Sequence, residues 1–128
     1  MSEKNNEICT CSDDQVKFIF ACSGGADVGH LSDAAARKMM ADGCGKMFCL
    51  AGIGGKVPGI LKTTNDADAI LVIDGCPVDC AKKSLELAGF KDFKHFQITS
   101  LGFEKGRTNI DDDSINRAAE YGVELFKS

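Results

Sequence analysis

Seven cysteines stand in this 128-residue chain, and four of them fall where apolar, strand-like runs come to an end. Cys22 closes VKFIFAC, Cys49 lies in KMFCLAG, and Cys76 closes AILVIDGC, with Cys80 following after Pro77, Val78 and Asp79. Thiolate sulfur is both a soft ligand and a nucleophile, so thiols brought together at strand ends would make a metal or redox centre. Zinc takes such sulfur tetrahedrally at about 2.3 Å, and copper(I) or iron are the other soft-ligand choices. Cys-x-x-x-Cys alone is a weak pattern, and cysteine is also an ordinary core residue. Cys49, embedded in an apolar run, is the one most open to that second reading.

Convergence of the four depends on the elements that carry them. Val16 to Ala21 is a nearly continuous apolar run ended by Ser23, Gly24 and Gly25, the pattern of a strand buried on both faces. Val28, Leu31, Ala35 and Met39 follow at helical spacing. The same grammar repeats: Lys46 to Ala51 reads as a second strand, Gly52, Gly54 and Gly55 as a loop, Gly59 to Thr64 as a short helix, and Ala69 to Ile73 as a third strand. Pro77 suits the first turn of the next helix, with Val78, Ala81, Leu85 and Ala88 as its apolar stripe and Gly89 at C′. Phe93 to Ile98 reads as a fourth strand and 102–109 as a loop. Asp111, Asp112, Asp113 and Ser114 supply the amino end of a last helix that faces inward through Ile115, Ala119, Gly122 and Phe126.

Strands alternating with helices predict an α/β, three-layer sandwich on a mainly parallel four-stranded sheet, Rossmann-like, with right-handed crossovers and strand order 2-1-3-4. In that order Cys49, Cys22 and Cys76 end three adjacent strands about 4.8 Å apart, at the carboxyl edge where such folds build their sites. Cys80, one turn beyond Cys76, would complete a four-sulfur shell. The amino ends of two helices point at the same edge, an arrangement expected to lower cysteine pKa.

Composition narrows the function classes. Fifteen basic against nineteen acidic residues give a net charge of -4, with no basic stripe interleaved with aromatics, so no nucleic-acid partner is expected. The polar start MSEKNNE lacks a secretory h-region and no apolar run is long enough for a bilayer, so a cytoplasmic protein without a membrane partner is expected. In that compartment thiols stay reduced, which favours ligands, redox centres or core residues over a disulfide framework. Residues 1–14 read as a flexible polar tail and 15–128 as a single α/β domain. The tail carries Cys9 and Cys11, a Cys-x-Cys that is either a metal-capturing or redox pair or an unselected one.

The segments FACSGGADVG, KMFCLAGIGG and AILVIDGCPVDCAKKSLELAGF resemble the DGC domain family of proteins proposed to bind zinc, named for the tripeptide seen here as Asp74, Gly75 and Cys76. The likeness runs from Val16 to about Gly106. It implies one zinc per chain held by Cys22, Cys49, Cys76 and Cys80, and it favours Cys49 as a ligand. An iron–sulfur cluster in place of zinc stays open. The family resemblance supplies a site and no reaction.

Other candidates weigh less. The Cys22 loop is similar to the nucleophile loop of low-molecular-weight tyrosine phosphatases, but the arginine needed six residues on is replaced by Val28. Gly24, Gly25 and Gly29 lack dinucleotide spacing, and Gly55-Lys56 lacks the rest of a Walker loop. Asp74 reads first as a turn-capping residue and second as a base or ligand-orienting group. His30 reads as a solvated helix residue, His95 receives no role, and Cys44 reads as a loop thiol. Two functions result: a metal-binding module for metal handling or assembly, and a thiol redox or thiol-transfer enzyme with Cys22 or Cys76 as nucleophile and Cys80 resolving.

Overall fold

The structure is a computed structural model that describes residues 15–128, so Cys9, Cys11 and the expected tail lie outside the described residues. Strands β1 (Lys17–Ala21), β2 (Lys46–Met47), β3 (Ala69–Asp74) and β4 (Lys94–Gln97) form one sheet in the order β2-β1-β3-β4, every pair parallel. That is the expected order; the pairs are parallel because each strand is followed by helical chain that crosses back over the sheet, and helices cover both of its faces. Helices α1 (Asp27–Ala41), α2 (Leu50–Gly54), α3 (Pro58–Asn65), α4 (Cys80–Leu87) and α5 (Asp112–Lys127) supply the outer layers.

Strand alternation sorts the core into two. Ile19, Ala21, Leu71, Ile73 and Phe96 pack with α1 and α5 residues such as Leu31, Met39, Ala118 and Phe126. Phe18, Phe20, Ile70 and Val72 face the other way onto Ile53, Ala81 and Leu85 of α2 and α4. Both faces are covered, so β1 and β3 read as unbroken apolar runs. α1 and α5 approach so closely that a Cβ on Gly122 would lie 2.7 Å from the Met39 sulfur, which gives that glycine its packing role. Asp111 and Ser114 close a reciprocal capping box at the start of α5.

Three sequence expectations are corrected. β2 stops at Met47 instead of Ala51, because Cys49 turns the chain as N-cap of α2. Gly52 and Gly54 lie inside that short helix and not in a loop; a Cβ on Gly52 would be 2.7 Å from Ile60, so the glycine admits α3 against α2. The third expected helix begins at Cys80 and not at Pro77: Pro77 and Val78 form a turn, Asp79 adopts φ 60, ψ 44, and Val78 is exposed. Gly89 follows the end of this helix at φ +97, as its C′ assignment requires. No helix among the described residues is long and apolar enough to cross a membrane.

Candidate functional site

At the carboxyl edge of β1 and β3 the two chains leave the sheet side by side. The Cys22 N–H still donates to the Ile73 carbonyl at 2.9 Å, which carries the β1–β3 register one residue on and sets Cys22 beside Asp74. Asp74 in turn pairs with Gln97 on β4, so Cys22, Asp74 and Gln97 form one row across three strands. Ser32, fully buried on α1, donates its hydroxyl to the Cys22 carbonyl at 2.5 Å and fixes the exit from β1.

The turns above this row are held by close backbone approach. A Cβ on Gly75 would meet the Gly29 nitrogen at 2.8 Å and the Val28 carbonyl carbon at 2.9 Å, so glycine lets the end of β3 rest on the first turn of α1. Gly29 has the same relation to Gly24, with 3.0 Å to its nitrogen. The result is a cavity of about 260 Å³ walled by Gly24, Gly25, Gly75 and the thiols of Cys22, Cys76 and Cys80, with Lys105 on one side. Lys105 Nζ lies 3.8 Å from the Cys76 sulfur. The loop bearing Lys105 is fastened by Asp27, whose carboxylate accepts from Gly106 N–H at 2.9 Å and Thr108 N–H at 2.9 Å.

Three of the four expected cysteines therefore share one cavity. Cys49 is exposed and is absent from the lining, standing at the amino end of α2 beyond the edge strand. Cys44, read as a loop thiol, is 2 % exposed and belongs to the α1–α5 core. His30 is exposed on α1. The expectation of a depressed pKa fails at Cys22: burial pushes its thiol up, the Asp74 carboxylate and the Cys80 sulfur add to the rise, and hydrogen bonds from the backbone at Gly24 and Gly75 offset only part.

Asp74 and Asp79 line the same cavity and join His95 in a polar cluster; sequence reasoning named Asp74 as a capping residue but gave Asp79 and His95 no part. Asp74, 1 % exposed, accepts the N–H of Ala81 at 2.8 Å and of Lys82 at 3.0 Å, and its Oδ2 is 2.9 Å from His95 Nε2. Asp79 Oδ1 accepts from Gln97 Nε2 at 2.8 Å and lies 3.5 Å from His95 Nε2. Among the described residues, Asp74, Asp79 and His95 are the group whose ligand atoms all fall within 4.8 Å of one another, while no three cysteine sulfurs do. Asp74 Oδ1 and Oδ2 and Asp79 Oδ1 each accept a hydrogen bond from the protein, so the cluster braces the turn above it. The signal in the sequence was the alternation in Lys-His-Phe-Gln: with Phe96 packed toward α5, His95 and Gln97 must face the other layer.

A parallel α/β sandwich with thiols and a buried carboxylate gathered at the carboxyl edge defines the class. The chain belongs to the DGC domain family, which it matches over residues 18–121. It is 31% identical over 93 residues, 73% of this chain and 71% of the relative, to the anaerobic and virulence modulator AnvM of Pseudomonas aeruginosa PAO1. No solved structure matches the chain.

Proposed function

We propose that this protein is a zinc-binding module in which Cys22, Cys76 and Cys80 bind the metal from within the cavity and Cys49 joins them from the edge of the sheet. The observation that carries the reading is the shared cavity of three thiols from two strand ends and a helix start, separated by up to 58 positions in sequence. Its donor set is sulfur, which suits zinc over magnesium or calcium. Bound zinc would contribute folding energy by tying β1 to the turn before α4. Supporting residues do the rest: Ser32 holds the Cys22 backbone, and Asp74 holds the amino end of α4 that presents Cys80.

The raised Cys22 thiol also bears on the rival thiol-enzyme reading. A nucleophile kept protonated by burial is a poor one, so that reading moves to Cys76, which faces the Lys105 ammonium, with Cys80 as its resolving partner. Metal analysis of protein purified without oxygen or added metal tests the first reading, with about one zinc per chain expected. Fully reduced protein that takes up no zinc would falsify it. Serine at Cys22, Cys76 or Cys80 should each release metal, whereas serine at Cys49 should weaken retention by less.

A further inference from the structure

Asp79 is one of two non-glycine residues among those described with positive φ, and it sits between the two cysteines of the Cys-x-x-x-Cys turn. L residues enter the left-handed region at a cost, smallest for Asn and Asp. A backbone in that state persists where its surroundings hold it, and here the holders are visible. Gln97 Nε2 donates to Asp79 Oδ1 at 2.8 Å, and His95 Nε2 lies 3.5 Å from the same oxygen. His95 is itself anchored on Asp74, whose carboxylate caps α4 through Ala81 and Lys82. Asp79 caps nothing with its side chain despite standing at the N-cap. Its carboxylate is turned onto β4 instead, and the reversal of φ at this residue sets where Cys80 starts the helix relative to Cys76.

We propose that His95 and Gln97 are positioning residues for the thiol site: they clamp Asp79 in the left-handed conformation and thereby set the separation of Cys80 from Cys76. This inference rests on the proposed metal-binding role of those thiols. Neither His95 nor Gln97 lines the cavity: Gln97 reaches it through Asp79, and His95 through both Asp79 and Asp74, which do line it.

The test combines zinc affinity with a readout on the metal-free chain. Zinc affinity by competition with a chromophoric chelator should fall in the order wild type and Asp79→Asn, then Asp79→Gly, then Asp79→Ala, the last by about tenfold. Glycine keeps the conformation and loses the clamp; alanine loses both. Gln97→Ala and His95→Gln should each weaken zinc by a smaller factor, and in the Asp79→Gly background Gln97→Ala should add little, since the clamp has already gone, while His95→Gln keeps only the part of its effect that runs through Asp74. In the metal-free protein, Cα and Cβ chemical shifts of residue 79 should leave left-handed values in Gln97→Ala. Equal affinities for Asp79→Gly and Asp79→Ala, or unchanged affinity and shifts in the Gln97 and His95 variants, overturn the proposal. If wild type binds no zinc, the metal-binding reading falls, and the shifts of residue 79 still decide whether the clamp exists.

Discussion

Asp74 Oδ1 accepts the backbone N–H of Ala81 at 2.8 Å, so the last residue of β3 caps a helix that starts six residues later. The N-cap residue proper, Asp79, makes no capping bond of its own. One buried carboxylate thus joins the sheet, the amino end of α4 and His95, and the site's geometry depends on it.

Removing that carboxylate should be costly. Asp74→Ala leaves two helix N–H groups and a largely buried imidazole without their acceptor, and should destabilise the metal-free protein by about 2–3 kcal/mol. Urea unfolding measures it. Asp74→Asn, which keeps one acceptor oxygen, should lose less.

The glycines of the cavity wall divide by what a methyl group would meet. Gly75→Ala puts its Cβ 2.8 Å from the Gly29 nitrogen, backbone against backbone, and should cost about 1–3 kcal/mol while separating β3 from α1. Gly25→Ala meets nothing within 4 Å and should stay within about 0.5 kcal/mol of wild type. Equal stabilities for the two variants would count against the close approach.

Acid should free the Lys105 loop before it unfolds the core. Hydrogen bonds from Gly106 and then Thr108 hold the Asp27 carboxyl below its ordinary value. A folded pKa lowered in this way contributes stability above the unfolded value of about 3.9, and that contribution is lost as pH falls through the folded value. Hydrogen exchange at the Gly106 and Thr108 amides should therefore rise, relative to core amides, only in strong acid. In Asp27→Asn the two amides should be poorly protected at every pH.

Alkylation of the reduced, metal-free protein should find Cys22 slow. Burial first, with Asp74 and Cys80 behind it, holds its thiol above the ordinary range, so the midpoint of its rate against pH should lie above that of free cysteine. Asp74→Asn removes one of these causes and should move the midpoint down. A Cys22 that reacts as fast as free cysteine at neutral pH, or faster, would overturn the raised thiol.

Much of this architecture was legible from residue types alone, because a strand buried on both faces leaves an unbroken apolar run and a helix leaves a 3.6-residue stripe. Those periods gave β1, β3, α1 and α5; the strand order 2-1-3-4 was a choice among the orders a parallel sheet allows, and the structure has that order. Periodicity failed where a segment is short. Cys49 and Leu50 look like a continuing strand, yet Cys49 is the N-cap of α2, a helix that packs against both α3 and α4. Pro77 and Val78 look like a helix start, and only the capture of Asp79 by β4 and of the α4 amides by Asp74 delays that start to Cys80. Alternation along β4 could place His95 on the α4 face but not name its partners, which stand 16 and 21 positions earlier and meet it only through parallel register, Val72 beside His95 and Asp74 beside Gln97. The sequence determined which thiols end which strands, since that follows from local pattern. Tertiary structure decided that Cys22, Cys76 and Cys80 share a cavity without Cys49, and that burial pushes the Cys22 thiol up, because desolvation and through-space charge depend on neighbours distant in the chain.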